Sequence, residues 1–568
     1  MIKRLSSAVI FFWLVGFLAV PEILLAQGGG GAGITDREVQ RQQEIERQRR
    51  QEIEDRAPNI HFQTQSAPDE SLLYPADESP CIVIHEVTLE GDDAAKFQWA
   101  LKSVKKDASG RCLGGQGFNI LMGRVQNAIV KKGYVTTRIV AAPQDLNSGR
   151  LVLTVIPGRV SGVKLTGDSG RHIILSTNLP VSKGDLLNIR DVEQGLENLK
   201  RIPGVEADIQ LAPGEKEGES EIQITWRQGR PIRLTLSVDD SGSKYTGLYQ
   251  GNLTLSVDNP LGFSDMFYAS ISGNLENTDK PHGTKGHGFH YSVPVGYWLF
   301  SVNSNYYNYH QIVAGYASDY EYSGVSRNTN LEMTRIIHRG QKSKTSLSFA
   351  GFVNESRNYI DDTEIEIQRR RMGGWEAGAS HRHYLGPVTL DADVRYHRGT
   401  GAFDALPAPE EQVGEGTSRP EILHLNLRVQ YPFQIGDQPL FYSSSWRQQW
   451  ALKRLVSRDR ISIGGRYSVR GYDGEVTLSA DNGFVFRNEL ALPLGQSGQQ
   501  VYAGLDLGRV WGPDDEYLLG KSLSGAALGL RGYLKGCSYD VFAAMPLNRP
   551  QDFPGDSLQT GFNVTYQF

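Results

Sequence analysis

The chain has 568 residues, with 59 Lys and Arg against 64 Asp and Glu, for a net charge of -5. That balance, without an extended Lys/Arg tract, argues against a general nucleic-acid binder. A mean hydropathy of -0.38 excludes a bundle of membrane helices but suits a barrel with a polar lumen and polar loops, and the 63 Gly and 25 Tyr point the same way.

At the amino terminus, Lys3 and Arg4 precede an apolar stretch over 8–20, and Leu24-Leu25-Ala26 stands before Gln27 as a cleavage site. Residues 1–26 read as a secretory signal that is removed. Residues 27–56 combine a Gly-rich lead, Gly28 to Gly33, with a polar helix over 35–56 built almost wholly of Glu, Gln and Arg. Thr35 and Glu38 have capping-box spacing. The helix would be about 33 Å long, with only Val39, Ile45 and Ile53 scattered along it. A helix polar all round must be solvated, charge-paired or held in a polar channel. Residues 57–79, with Pro58, Pro68 and Pro75, read as a linker.

Two small α/β units follow, over 80–157 and 158–228. In the first, a strand with Ile82, Ile84, Val87 and Leu89 precedes helical patterns over 94–106 and 120–132, then strands over 134–141 and 151–156. The second repeats that order: a strand over 160–165, a helical turn near Ile173, a helix over 189–200, and strands over 207–211 and 221–225. Such units are too small for ordinary enzymes and leave a strand edge open to a partner segment. The candidate edges are Tyr134, Val135, Thr136, Thr137 and Arg138 in the first unit, and Ala207, Asp208, Ile209, Gln210 and Leu211 in the second. Cys81 and Cys112 share one small segment, and an oxidising compartment makes a bridge between them reasonable. Cys537, beside Gly536, is left over as incidental.

Residues 229–568 read as a membrane β-barrel of about sixteen antiparallel strands. At its end Leu558, Phe562, Val564, Tyr566 and Phe568 share one face of a period-2 strand, and Gly561, Asn563, Thr565 and Gln567 the other. Short turns, such as Asn259-Pro260-Leu261-Gly262 and Leu385-Gly386-Pro387, alternate with long loops near 274–286, 309–320, 398–419, 451–482 and 547–557. That asymmetry, with an even strand count returning the terminus to the periplasm, fits an outer-membrane barrel.

Over 500–511, Val501, Ala503, Leu505 and Leu507 share the lipid face, so Asp506 points inward with Tyr502, Gly504 and Gly508. The two glycines leave room for a large side chain, and Arg470 on loop 451–482 can meet a carboxylate bidentately. Spacing leaves two readings open: a latch, or a solvated loop cation facing a pore-lining carboxylate. Three other groupings read blandly. Gly167-Asp168-Ser169-Gly170 is followed by Arg171 rather than a further glycine, and reads as a turn. His282, His287 and His290 fit no common zinc spacing and read as exposed loop residues. Asp191, Glu193 and Glu197 read as a solvated helix face. No phosphate loop, paired catalytic carboxylates or Cys/His nucleophile pair stands out, so the expectation is a conduit with no catalytic residue, cofactor or metal.

Six stretches together resemble the outer-membrane transporters of two-partner secretion, the haemolysin secretion/activation type. Gly133-Tyr134-Val135-Thr136-Thr137-Arg138, with Gln144-Asp145-Leu146 and Ile156-Pro157-Gly158-Arg159, is similar to the first polypeptide-transport-associated (POTRA) domain of that family. Residues 187–199, from Leu187 to Leu199, are similar to the second. Val469-Arg470-Gly471-Tyr472 looks like the tip of its sixth outer loop, and Leu505-Asp506-Leu507-Gly508 like the inward strand motif that receives it. The resemblance implies an outer-membrane location in a Gram-negative bacterium, with the POTRA domains in the periplasm and a monomeric barrel among lipids. It implies secretion of a large β-rich exoprotein, recognised through an amino-terminal secretion domain and threaded through the lumen. It also gives the polar helix a place, as a plug in the resting barrel. A barrel-assembly factor is the alternative of the same architecture, and a diffusion porin a weaker one.

Overall fold

The computed structural model describes residues 37–48, 60, 62, 73–75, 77–167, 169–170, 172–276, 282–314 and 318–568. The signal sequence, the Thr35 cap and most of the linker lie outside the described residues.

From Ile232 onward the period-2 alternation builds sixteen antiparallel strands that close on themselves. Ile232–Asp239 pairs with Gln250–Asp258 on one side and with Gln559–Gln567 on the other, with Asn563 opposite Asp239 and Gln567 opposite Thr235. Closure leaves no strand edge in hydrocarbon, where water could not satisfy it. Alternation also decides which side chains meet lipid. In Gln499–Trp511, Leu505 and Leu507 are 59% and 43% exposed, and Asp506 between them is 3% exposed.

Tight turns such as Gly386-Pro387 join strands at one rim, Gly386 taking the left-handed conformation (φ 60°) that a two-residue hairpin turn requires. Loops 401–420 and 452–481 lie at the other rim. Outer connections also occur at 240–249, 361–369 and 512–521, which the sequence reading did not single out. Residues 309–313, expected in a loop, instead continue the strand Trp298–Val313, because their pairing with the tall strand Tyr320–Arg339 persists to Val313.

Each α/β unit ahead of the barrel is a three-stranded sheet with helices. In the first, Glu86–Gly91 runs parallel to the central Arg150–Ile156, and Arg138–Val140 pairs antiparallel on its far side. Phe97, Leu101, Leu121, Val125 and Leu153 form its core, Leu121 and Val125 coming from the helix Gly115–Lys131. The helix expected over 94–106 is broken into Ala94–Phe97, the 3-10 turn Gln98–Leu101 and Lys102–Ala108. Cys81, just ahead of the strand Ile82–Ile84, is bridged to Cys112 in the middle of its partner strand Arg111–Leu113.

In the second unit, Arg159–Leu165 is parallel to the central Glu219–Gln228, and Val205–Pro213 is antiparallel to it. The helix Ile189–Lys200 starts at Asn188, whose side chain accepts the Arg190 N–H. Its Val192, Leu196 and Leu199 pack with Leu187, Ile224 and Trp226.

This second unit is seated on the short-turn rim of the barrel. The Ile174 N–H donates to the Gly262 carbonyl and the Gly296 N–H to the Thr177 carbonyl, both at 2.7 Å. Asn198 Nδ2 reaches the Gly296 carbonyl at 2.8 Å. Asp191, Glu193 and Glu197 correct the expectation of a solvated helix face, because that face is the contact with the barrel. Arg339 meets Glu193 at 3.3 Å and Glu197 at 2.8 Å, Lys344 meets Glu197 at 2.8 Å, and the Tyr297 hydroxyl donates to Asp191.

Candidate functional site: a latched loop and a plugged lumen

The loop 452–481 folds back into the barrel on a short hairpin, Ile461–Ile463 against Leu478–Ala480. Ile463, Val469, Tyr472 and Leu478 pack against Val510, Leu523 and Phe553, so burial of apolar surface holds the loop against the inner wall. Glycines on neighbouring strands make the seat. A Cβ at Gly508 would come within 2.9 Å of Val469 Cγ2, and one at Gly504 or Gly525 would collide with Arg470. Gly471 itself has φ 99°, and a Cβ there would lie 2.5 Å from the Met545 backbone.

Of the two open readings, the arrangement is the paired one. Arg470 donates from Nε to Asp506 Oδ2 at 2.6 Å and from Nη2 to Oδ1 at 2.8 Å, and its backbone N–H adds a bond to Oδ2 at 3.0 Å. Both residues are buried. Such a two-pronged contact fixes orientation as well as distance. Tyr472 extends the anchorage, its hydroxyl donating to the carbonyls of Asn548 at 2.5 Å and Ser524 at 3.2 Å. Val469, Arg470, Gly471, Tyr472, Asp506 and Gly508 are thus brought together.

Two members of this site were not singled out from the sequence. Glu489 accepts from Arg470 Nη1 at 3.2 Å, and Arg487 stands 3.7 Å from Asp506. They lie opposite Gly504 and Asp506 on the neighbouring strand. The alternation of Asn482–Pro493 would have placed both inward.

The polar helix occupies the lumen over residues 37–48. The Tyr307 hydroxyl on the wall donates to Glu38 at 2.5 Å, and Arg447 pairs with Glu44 at 2.8 Å. The other face grips the folded-back loop. Arg41 donates to the Gly474 carbonyl at 3.0 Å, Gln40 to the Ser457 carbonyl at 2.7 Å, and Arg37 to the Glu475 carbonyl at 3.1 Å. A helix without an apolar stripe is therefore satisfied by charge pairs and by loop carbonyls. Plug and latch share one loop.

The two expected partner edges differ. Ala207, Asp208, Ile209, Gln210 and Leu211 lie on Val205–Pro213, which among the described residues pairs on one side only. Ala207 and Ile209 face the core, while Asp208 and Gln210 are exposed. The stretch Tyr134, Val135, Thr136 and Thr137 is not a strand; only Arg138 belongs to one, Arg138–Val140. Tyr134 packs edge-on against Phe97 at 5.1 Å, and Val135 packs on the core of the second unit. Thr137 Oγ1 accepts the Gly158 N–H at 3.1 Å. Gln126 closes the short edge that remains, accepting the Ile139 N–H at 2.9 Å and donating to the Thr137 carbonyl at 2.7 Å. The segment is the joint between the units, where the Gly133 carbonyl accepts the Ile189 N–H and Thr137 accepts the Gly158 N–H.

His287 and His290 sit on the strand Gly283–Val295, stacked on Tyr306 and Tyr268 at 4.7 Å, rather than in a loop. Among the described residues no cluster of three His, Cys, Asp or Glu could hold a metal. Ser169 of the glycine-flanked motif bonds to Thr166, Ile224 and Trp226 and closes a turn; Asp168 and Arg171 lie outside the described residues.

A closed outer-membrane barrel with paired α/β units, an inserted polar helix and a latched loop defines a protein-translocating pore. The chain belongs to the haemolysin secretion/activation family: the family model "Haemolysin secretion/activation protein ShlB/FhaC/HecB" matches residues 218–532. A ShlB-type POTRA domain matches 82–158 and a further POTRA domain 159–213. The outer membrane transporter CdiB-2 of Burkholderia pseudomallei (strain 1026b) is 34% identical over 510 residues, covering 86% of this chain and 87% of the relative. The hemolysin transporter protein HpmB of Proteus mirabilis is 25% identical over 82% of this chain and 81% of its own. Among solved structures, CdiB from Acinetobacter baumannii matches with a TM-score of 0.84 at 31% identity, covering 94% of this chain and 99% of that one. CdiB from Escherichia coli matches with a TM-score of 0.82 at 25% identity, covering 96% and 100%. The chain is thus an outer-membrane transporter of two-partner secretion with its POTRA domains in the periplasm, and the barrel-assembly alternative is not favoured.

Proposed function

We propose that the plugged, latched arrangement is the resting state of a conduit for one large β-rich exoprotein. The partner's amino-terminal secretion domain docks in the periplasm by adding a strand to the open edge Val205–Pro213, through main-chain hydrogen bonds. The plug then leaves the lumen, the loop carrying Arg470 rearranges, and the partner passes as an extended chain. Folding outside gives the movement direction, so the transporter needs no catalytic residue or cofactor and works as a monomer.

The observation that carries this reading is the sharing of loop 452–481 by plug and latch, through Arg41 with Gly474 and Arg470 with Asp506. A chain threading the lumen must disturb both. Deleting residues 35–56 is expected to raise ion conductance of the purified barrel in planar bilayers without abolishing insertion, because the helix contributes no strand. Conductance unchanged from the wild type would refute the plug.

A further inference from the structure

Ile60 and Phe62 lie in the seam between the second POTRA domain and the barrel rim, and both pack on the core of that domain. The Phe62 N–H donates to Glu193 Oε1 at 2.8 Å, and the Ile60 carbonyl accepts from Arg339 Nη2 at 2.6 Å. Glu193 has no exposed surface and the Arg339 side chain is 5% exposed. Arg190, paired with Glu193 at 2.5 Å, is also buried, and its Nε and Nη2 have no acceptor among the described residues. The seam therefore grips backbone N–H and C=O groups with buried charges and offers spare donors suited to further peptide carbonyls. Its two apolar side chains come from alternate positions, the spacing of an extended strand.

We propose that this seam is a binding site for extended polypeptide with apolar residues at alternate positions, filled at rest by the transporter's own linker and in export by a segment of the exported chain. The proposal deepens the secretion reading and rests on it. An unfolded β-rich chain repeats the alternation that Ile60 and Phe62 present. Backbone capture with apolar seating reads this pattern without demanding one sequence. The plug helix reaches Gln48 and the chain is held again at Ile60, so exchange at the seam frees the tether behind the plug and couples cargo capture to unplugging. A tethered linker has a high effective concentration, so a single short peptide competes poorly and a long chain with many alternations competes well.

The test uses the full-length transporter in nanodiscs and a fluorescent peptide of residues 57–65. Ile60→Ser combined with Phe62→Ser empties the seam from within. That variant is expected to bind the peptide at least about tenfold more tightly than the wild type, and Glu193→Ala added to it is expected to abolish the gain. The emptied variant is expected to conduct better than the wild type in planar bilayers, because its tether is already released from the seam. Heat-modifiable migration of each variant verifies that the barrel is folded. Equal peptide binding by the wild type and the emptied variant overturns the site. Tighter binding with no change in conductance overturns the coupling. If the chain lacking 35–56 conducts no better than the wild type, the plug reading has failed; if it conducts better while the peptide does not bind, only this inference has failed.

Discussion

Two buried carboxylates organise this molecule, and each receives an arginine from a segment far along the chain. Asp506, on the barrel wall, takes Arg470 from the sixth outer loop. Glu193, on a POTRA helix, takes Arg339 from the end of a barrel strand. The partners left behind differ if the arginine is removed. Asp506 would keep Arg487, 3.7 Å away, and a backbone N–H at 3.0 Å from the same movable loop, while Glu193 keeps Arg190 at 2.5 Å and the Phe62 N–H at 2.8 Å. A junction resting on one arginine can be released by moving one loop. A junction with redundant partners holds while that loop moves.

The largest expected effect comes from the lumenal pair. Arg470→Ala leaves a buried carboxylate without its main partner, a loss of about 3–5 kcal/mol. Export should fall sharply while a folded, heat-modifiable barrel still reaches the outer membrane. Asp506→Ala should behave similarly, and the double variant should be little worse than either single one, because all three remove one interaction. Secretion at the wild-type level by Arg470→Ala, with normal expression, would remove the latch from the export mechanism.

Arg339→Ala should do less. Glu193 retains two partners, so the expected loss is about 1–3 kcal/mol in seating the POTRA domain on the barrel. Spin labels on the second POTRA domain and on a barrel turn should give a broader distance distribution in this variant, with barrel insertion unchanged. A distribution as narrow as that of the wild type would mean that the backbone contacts at Gly262 and Gly296 suffice for seating.

The same pair explains what was legible in the sequence. Alternation is strict in a barrel wall, so Asp506 could be placed inward, with its glycines, from its neighbours alone. Glu489 and Arg487 were equally legible by that rule. Glu193 was not, since the acidic face of a POTRA helix looks the same whether it meets water or a barrel rim. Its partner Arg339 lies 146 positions away, and no local pattern joins them. Tyr134 to Thr137 misled for another reason. Tyr, Val and Thr favour strands, but here Gly133 accepts the Ile189 N–H and Thr137 takes the Gly158 N–H. Those bonds to the second domain outweigh local preference. Helix 35–56 was legible as polar, and its fit to the lumen depended on loop carbonyls that sequence does not display.

The partner edge offers a smaller, sharper test. Adjacent residues of a strand point their N–H groups to opposite sides, so of Ile209→Pro and Gln210→Pro one removes an outward donor and the other a bond within the sheet. The thermal stability of the POTRA region identifies which is which. The proline that spares stability should weaken capture of the exported partner several-fold. If neither variant changes capture, recognition does not use Val205–Pro213.

The smallest expected effect is a pH dependence of POTRA seating, in which two carboxyls on one helix oppose each other. Burial raises the pKa of Asp191 above the ordinary carboxylate value, and the Tyr297 hydrogen bond only partly offsets this. Burial also acts to raise that of Glu197, but Lys344 and Arg339 outweigh it and hold the group below its ordinary range. A raised carboxyl pKa means that the seated state binds the proton more tightly, so seating strengthens as pH falls through the Asp191 range. A depressed one means the reverse: the Glu197 contribution is complete above the ordinary carboxylate value of about 4.3 and is lost as pH falls through the lower, seated value. From neutral pH downward, the spin-label distance distribution should first narrow slightly and then broaden. Asp191→Asn should remove the narrowing and Glu197→Gln the broadening. Broadening that persists in Glu197→Gln would assign the acid sensitivity to another contact at the rim and leave Lys344 and Arg339 without the role that their distances from Glu197 give them.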